Sequence, residues 1–547
     1  MRSSRVRRGK SEEGRSSVHT RLTSRSGEPL LLVDGVLACL LIGAGAFLAR
    51  ATISPDGVAY LENAELFAHG RFGHAIQGYW SPGFSILLTP FVWIAGDDRP
   101  LVLLFGHVLQ GLLGLTAILL VLSIVKRRIP AFAQRLVFWG AAWLILRWLS
   151  QQLLTPDLLL CVLLLWFLRA LPTRSRADEA IVGAIAAAAF LVKTSTWPLL
   201  VISAAVVAAR HLMTGEPRKI PWVSLGTCGL VCGLFVATLS ARAGHLTMGG
   251  VGPLNARWYL GDISRRTPDT DLGPHAQKTS LRLPDGSSIS FHDMRASDRT
   301  YLPWSDPETW ATGVPAVSRP AFSGAWARAT WAANGEYVMR WFCPVLIILF
   351  LAIWTCLPHA ATRTEWFGWL LEPACLTGAL GVGVFLAVHV ELRLLAPMAL
   401  LLLLGPWFSD RFVAHRPLPR FVVPIAICAV VGSVTLSVRP HLGTFTRSPD
   451  RVSAFDRYVA EHKVRNRNEG VIVLGSATDW MGALWRNHLR VAVQIGPEGY
   501  AAVNAMEKSE RLRWLRSQFG GDVFGVAEMV KGAQDSTATT DWRFSAF

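Results

Sequence analysis

Cysteine is absent from the long polar segments of this 547-residue chain. All eight cysteines lie in apolar runs, which excludes a disulfide framework and a Cys-x-x-Cys metal site. The C-terminal segment has no phosphate-loop pattern, because Gly475-Ser476 alone is too weak a signal for a nucleotide site. No small-residue cleavage site follows the first apolar run, so we expect an anchoring helix there and no cleavable signal peptide.

Long apolar runs are abundant instead. Hydrophobic residues make up 51% of the chain and the mean hydropathy is +0.35. Apolar runs of about 20 residues recur, and each can cross the ~30 Å hydrocarbon core of a bilayer as a helix. This pattern predicts an all-α, multi-pass membrane protein. The net charge of +16 comes largely from a basic leader and short basic loops, as the positive-inside rule requires, so we expect no nucleic-acid partner.

The basic loops define the expected topology. Segments 126–128, 174–176, 210–219 and 411–420 are basic, which predicts that they are cytoplasmic, with the N-terminus inside and the C-terminus outside. We expect eleven membrane spans, at about 30–49, 101–125, 133–150, 153–171, 178–193, 197–212, 221–241, 337–357, 367–388, 391–408 and 420–438.

One apolar segment, 81–95, breaks this alternation. It contains Pro82 and Pro90 and is followed by Gly96-Asp97-Asp98. A proline inside a helix removes a backbone hydrogen bond and tends to kink it. If the segment crossed the membrane, every later basic loop would lie on the wrong side. We therefore expect a juxtamembrane or re-entrant helix within the first outer loop.

Five regions follow from this topology. A basic cytoplasmic N-terminus (1–29) precedes a membrane module (30–241), whose first outer loop is 50–100. A large outer loop (242–336) and the C-terminal transmembrane helices (337–438) come next. The outer tail (440–547) alternates strand-like and helix-like segments, which predicts a small extracytoplasmic α/β domain. The large outer loop is rich in tryptophan, and such side chains can stack on carbohydrate rings or anchor loops at the membrane interface.

Asp56, in Ser54-Pro55-Asp56-Gly57, is the first functional candidate. It follows the first span directly, and a carboxylate so close to hydrocarbon is costly and typical of a functional site. The alternative is an N-cap, since Asp is common at helix starts.

Further polar residues collect at the same outer boundary. A carboxylate there can act as a general base, and basic side chains can hold a phosphate leaving group. Asp56 and Asp157 can instead hold a divalent cation. Each residue also has a structural explanation. Asp157 can be stabilised by the helix dipole, Lys193 can snorkel from the end of a span, and Glu391 and Arg393 can simply form ion pairs. The candidates besides Asp56 are Asp157, Lys193, Arg242, His245, Glu391 and Arg393.

The chain resembles the GT-C superfamily of polytopic glycosyltransferases over about residues 30–440. Asp56 matches the catalytic Asp of the first outer loop, and Tyr79-Trp80-Ser81-Pro82-Gly83 resembles the motif of its juxtamembrane helix. Thr155-Pro156-Asp157 looks like the second acidic motif, with one Asp where some relatives have Asp-x-Asp or Glu-x-Asp. Lys193 resembles a basic residue of bacterial members. Tyr60 and Trp80 are further candidates for substrate binding.

This resemblance implies an inverting transfer of a sugar from a polyprenyl-phosphate carrier. The acceptor would be a lipid, glycan or protein on the outer side of the bacterial inner membrane, with membrane lipids as further partners. A transporter or lipid flippase is the competing class, but transporters tend to have paired repeats and broken helices near the midplane. No repeat is evident here. A third alternative is a non-catalytic scaffold for envelope assembly.

Overall fold

The structure is a computed structural model of the chain, and it describes part of the sequence. The described residues are 28–50, 52–129, 131–147, 154–170, 175–196, 222–251, 254–255, 279–297, 299–307, 328, 330–332, 334–335, 372–388, 392–408, 459, 470–474, 480–519, 523–530 and 541–546.

Helices occupy eight of the eleven expected spans within the described residues. The expected spans at 197–212, 337–357 and 420–438 lie outside the described residues, so the number eleven stays a prediction. The eight helices are α1 (Glu28–Ala49), α5 (Arg99–Arg128), α6 (Ala131–Arg147), α7 (Asp157–Ala170), α8 (Arg176–Val192), α9 (Trp222–Ala243), α11 (Pro373–Val388) and α12 (Leu392–Leu404).

Three of these helices, α1, α5 and α9, are long and apolar enough to cross a membrane. Local side-chain interactions determine where helix α5 begins and ends. The Asp98 carboxylate accepts a hydrogen bond from the Leu101 amide at 3.0 Å and caps the N-terminus. Lys126, Arg127 and Arg128 occupy the last turn, where positive charge is favourable to the helix dipole. The mostly helical architecture and the apolar helices are those of an integral membrane protein.

The first outer loop is itself helical. Helix α2 (Pro55–Ala68) is followed by a single turn, α3 (Phe72–Ala75), and by α4 (Pro82–Ala95). Helix α4 begins one residue after the expected start, contains Pro90, and ends at Gly96 with φ of +59°. Its 14 residues give a length of about 21 Å, which is short of the ~30 Å hydrocarbon core. The expected helix is confirmed, and its juxtamembrane or re-entrant position stays a prediction.

Seven of the eight helices at expected spans share one large hydrophobic core, and α9 packs against α8 through a smaller one. Helix α5 packs against α1, α4, α6 and α7, and α8 packs between α7 and α9. Helices α11 and α12 form a tight pair because Gly378 and Gly405 lie against the facing backbone, where a Cβ atom would clash. Helix α12 also packs against α6 and α7. The start of α12 is therefore brought beside the first half of the chain.

One six-stranded sheet packs against this helical core through Val471, Val473 and Ala527. Its strand order is β1-β2-β4-β3-β5-β6. Strands β3, β4 and β5 are parallel neighbours from the tail, and β2 pairs antiparallel with β4 through Phe291 opposite Ile495. The large outer loop thus supplies a hairpin to the sheet of the tail. The strands are β1 (Thr279–Arg282), β2 (Ser288–Asp293), β3 (Gly470–Leu474), β4 (Arg490–Ile495), β5 (Val523–Val530) and β6 (Asp541–Ala546).

Short helices complete the outer part. They are α10 (Leu302–Ser305), α13 (Met481–Arg486), α14 (Pro497–Asn504) and α15 (Lys508–Phe519). Helix α13 packs on α2 and α5, and its buried side chains belong to the large core. Arg99 joins the two parts, because its guanidinium donates to the Trp485 carbonyl and lies 5.0 Å from the Trp485 ring. The tail is thus packed directly onto the first outer loop.

Candidate active site

Asp56 lies in the first turn of α2 without capping it. The cap is Ser54, whose hydroxyl accepts a hydrogen bond from the Gly57 amide at 3.1 Å. The Asp56 carboxylate instead accepts from the Arg393 guanidinium, which comes from the start of α12. In the structure, Asp56 therefore forms an ion pair, and the N-cap role belongs to Ser54.

Asp157 forms a second ion pair beside the first. It is the first residue of α7, and Lys193 Nζ donates to Asp157 Oδ1 at 2.5 Å. Asp157 is 2% exposed, and no described residue donates to its Oδ2 atom. Gln110, on α5, donates to the Thr155 carbonyl at 2.7 Å and holds the turn that precedes Asp157.

Arg393 and Tyr60 connect the two ion pairs. The charges of both Lys193 and Arg393 act on Asp157. Tyr60 is buried one helical turn after Asp56, and burial raises the pKa of its phenol well above the usual range. The charges of Asp157 and Asp56 raise that pKa further. Tyr60 therefore stays protonated and can donate a hydrogen bond. We call Asp56, Asp157, Lys193 and Arg393 the carboxylate–cation cluster.

The motif Tyr79-Trp80-Ser81-Pro82-Gly83 holds the chain next to Lys193. The Ser81 hydroxyl accepts a hydrogen bond from the Thr194 amide at 3.1 Å. Gly83 lies directly against the end of α8, where a Cβ atom would meet the Leu191 carbonyl and the Val192 nitrogen at 2.9 Å. Only glycine allows this approach without a shift of the backbone. The motif thus fixes the position from which Lys193 reaches Asp157.

Trp80 is placed by contacts on two sides. Its indole N–H donates to the Trp304 carbonyl at 2.9 Å. Its ring meets the Tyr60 ring edge-on, with the centroids 5.1 Å apart. Trp80 therefore lies between Tyr60 and the large outer loop, and the substrate-binding role of Tyr60 and Trp80 stays a prediction.

Other predicted residues make different contacts. Arg242 lies in the last turn of α9 and donates to the carbonyls of Gly73 (2.7 Å) and Ile76. His245 is exposed, with Nδ1 3.0 Å from the Ala243 carbonyl. The contacts that the structure gives Arg242 and His245 thus lie apart from the carboxylate–cation cluster, and their substrate-binding role stays a prediction. Glu391 lies outside the described residues.

The divalent-cation alternative for Asp56 and Asp157 stays a prediction. Each carboxylate of the cluster is paired with a positively charged side chain through one of its oxygens. Within the described part of the chain, no group of three His, Cys, Asp or Glu side chains is placed to hold a metal. The donor set is better suited to an anion that shares the two cations.

Two polar side chains that support the site were not among the candidates that the sequence offered. Gln110 and His107 lie inside the apolar run of α5, and His107 Nε2 is 2.7 Å from the Thr52 carbonyl. The signal for both was available, since a polar residue inside a membrane helix is costly without a purpose. Glu62 and Arg299 form a buried ion pair that joins two outer loops, and only the fold brings them together.

No family model matches the chain, and no curated protein matches it. Among solved structures, the chain is similar to ArnT from Cupriavidus metallidurans bound to undecaprenyl phosphate. The match has a TM-score of 0.40 and 14% identity, and covers 92% of this chain and 96% of that chain. A structural likeness at this level of similarity does not bear on function.

Proposed function

We propose that the protein is a membrane glycosyltransferase. It moves a sugar from a polyprenyl-phosphate-linked donor to an envelope acceptor on the outer face of the membrane. The observation that carries the proposal is the carboxylate–cation cluster, which four separate segments of the chain contribute. Two carboxylates and two cations at one place provide a proton acceptor and a phosphate-binding group for the same reaction.

Asp56 is the general base in this proposal. It accepts the proton of the acceptor hydroxyl as the oxygen of that hydroxyl forms a bond to the anomeric carbon. The bond between the anomeric carbon and the phosphate oxygen breaks on the opposite face, and its electron pair leaves with the phosphate. The configuration of the sugar is therefore inverted.

Lys193 and Arg393 stabilise the phosphate as it leaves. Their side chains are 21% and 27% exposed, whereas the side chains of Asp157 and Asp56 are 2% and 12% exposed. The cations thus form the accessible side of each ion pair, where a phosphate can approach. Charge-assisted hydrogen bonds to a phosphate are stronger than neutral ones, so the cations can turn toward it as negative charge develops.

Asp157 acts through Lys193 and through its own Oδ2 atom. It holds the ammonium group in place, since Oδ1 accepts from Lys193 Nζ. The buried Oδ2 receives no hydrogen bond from a described residue. A hydroxyl of the sugar or of the acceptor would satisfy this atom, and a buried acceptor without a donor is costly. Asp157 is therefore suited to orient a hydroxyl of the substrate.

The location of the cluster favours the enzyme over a transporter. Asp56 lies in the first turn of α2, Asp157 begins α7, Lys193 follows the last residue of α8, and Arg393 lies near the start of α12. The cluster thus lies where helices begin or end. A transport site is more typical of broken helices at the midplane. A scaffold, the third alternative, has no need for buried carboxylates that pair with partly exposed cations.

The test is transfer by the purified protein in detergent, with a polyprenyl-phosphate sugar as donor and an envelope extract as acceptor. We expect transfer by the wild type and its loss in Asp157→Asn. A matched control is Asp293→Asn, which removes an exposed carboxylate that pairs with Arg295. A transporter or flippase needs two compartments and gives no product in detergent. If no product forms with the polyprenyl-phosphate sugar or with donors extracted from the native membrane, the proposal is refuted.

A further inference from the structure

Helix α2 carries two further buried polar groups, Glu62 and Asn63. Asn63 lies two turns after Asp56 on the same face, whereas Glu62 lies on another. At about 100° per residue, Asp56 and Tyr60 share one face of the helix, and Glu62 points elsewhere. Glu62 and Asn63 are 5% and 1% exposed, although neither contacts the carboxylate–cation cluster through a hydrogen bond that the structure shows. Their partners come from the large outer loop, apart from Gln77 of the first outer loop.

Glu62 binds the loop segment 299–305 at both ends. Its Oε1 accepts a hydrogen bond from the Thr300 amide at 2.6 Å, and its Oε2 accepts one from the Ser305 hydroxyl at 2.5 Å. Arg299 Nη1 lies 3.9 Å from Oε2 and supplies the counter-charge. A buried carboxylate with these partners is well satisfied, so its removal leaves several groups unpaired.

Asn63 and Gln77 extend the attachment. Arg299 Nη2 donates to Asn63 Oδ1 at 2.9 Å. Gln77 Nε2 donates to the same oxygen at 3.0 Å and to the Ser305 carbonyl at 2.9 Å. The segment 299–305 is thus held by charge and by hydrogen bonds on the side that faces α2.

The other side of the segment is bound to the C-terminal sheet. The Tyr301 hydroxyl donates to Gln494 Oε1 at 2.8 Å, and the Thr300 carbonyl accepts from the Val491 amide at 2.7 Å. Both Val491 and Gln494 belong to β4. The segment therefore lies between the helix that carries Asp56 and a sheet made from the outer loop and the tail.

We propose that Glu62 is a positioning residue, through which the large outer loop and the C-terminal sheet set the orientation of the helix that carries Asp56 and Tyr60. The inference rests on the proposed transfer reaction. Glu62 fixes α2 on one face, so Asp56 on another face is aimed at Arg393 and the acceptor hydroxyl. A displacement of about 1 Å at a reacting group can lower a rate by about 100-fold. The C-terminal domain thus serves the site as a support.

The test is Glu62→Gln, which keeps the shape of the side chain and removes its charge. We expect turnover in the detergent assay to fall by about 10- to 100-fold, with KM for the donor close to the wild-type value. Hydrogen exchange of the segment 299–305 should become faster. Glu65→Gln is the matched control on the same helix, because Glu65 is 25% exposed and its ion pair with Arg99 is therefore less buried than that of Glu62. We expect its turnover to stay near the wild-type value.

A double variant separates positioning from folding. Glu62→Gln leaves Arg299 buried without a counter-charge, which is itself destabilising. Adding Arg299→Gln removes that charge, so we expect thermal stability to recover while turnover stays low. Recovery of both would show that Glu62 serves packing alone and would overturn the proposal. If the wild type transfers no sugar, the proposed function fails. Hydrogen exchange of the segment 299–305 then tests the positioning role by itself. Unchanged exchange in Glu62→Gln would overturn the positioning role.

Discussion

Asp56→Asn separates chemistry from stability at the candidate base. Asn keeps an oxygen that can accept from Arg393, and Ser54 still caps the helix. Arg393 is 27% exposed and the Asp56 side chain 12%, so loss of the ion pair should cost about 1–2 kcal/mol of folding stability while the amide oxygen still accepts from Arg393. Loss of a general base typically lowers a rate by about 10²- to 10⁴-fold, equivalent to about 3–5 kcal/mol of activation free energy. We therefore expect a large loss of transfer with only a modest loss of stability.

The assay measures transfer rate, membrane abundance and thermal stability on the same preparations. The matched control is Ser54→Ala, which removes the cap from the Gly57 amide and should cost about 0.5–2 kcal/mol of stability while it keeps the carboxylate. We expect Ser54→Ala to lose a comparable amount of stability and to be by far the more active variant. If Asp56→Asn instead transfers sugar at a rate within the range of Ser54→Ala, Asp56 is not the base and the proposed reaction loses its proton acceptor.

Three further predictions concern the phosphate, the packing and the topology. Lys193→Ala should weaken use of the donor more than use of the acceptor, and the charge-retaining Lys193→Arg should do less harm; equal loss in both would indicate packing. Gly83→Ala should lower thermal stability by about 1–3 kcal/mol, because its Cβ would lie 2.9 Å from backbone atoms at the end of α8; an unchanged melting temperature would contradict this contact. A cysteine placed in 96–100 should react with an impermeant reagent from outside, and access only from the cytoplasm would show that α4 crosses the membrane.

Local patterns in the sequence were enough for much of the fold. Apolar runs of about 20 residues predicted the membrane helices, since hydrocarbon excludes polar groups from any segment that crosses it. The alternation in the tail predicted the strands β3 and β4 and the helix between them, and these elements are confirmed. The proline-containing segment 81–95 was likewise expected as a short helix, and α4 confirms it. Such features depend on neighbours within one or two turns, which the sequence displays directly.

Candidate residues of the site were also visible, because charged groups at the ends of apolar runs are costly. The sequence pointed to Asp56, Asp157, Lys193 and Arg393 by this argument. It did not say which carboxylate pairs with which cation, and it left an N-cap role open for Asp56. The structure assigns that cap to Ser54.

The pairings were decided by tertiary structure alone. Asp56 and Arg393 are 337 residues apart, and Glu62 and Ser305 are 243 residues apart. Contacts over such separations depend on how helices pack, and no local periodicity encodes them. The position of the hairpin β1–β2 has the same explanation. The hairpin belongs to the large outer loop, and the fold pairs it with β4 at the edge of the parallel strands of the tail. The sequence thus determined which side chain stands at each position, whereas only the tertiary structure brought those positions together at one site.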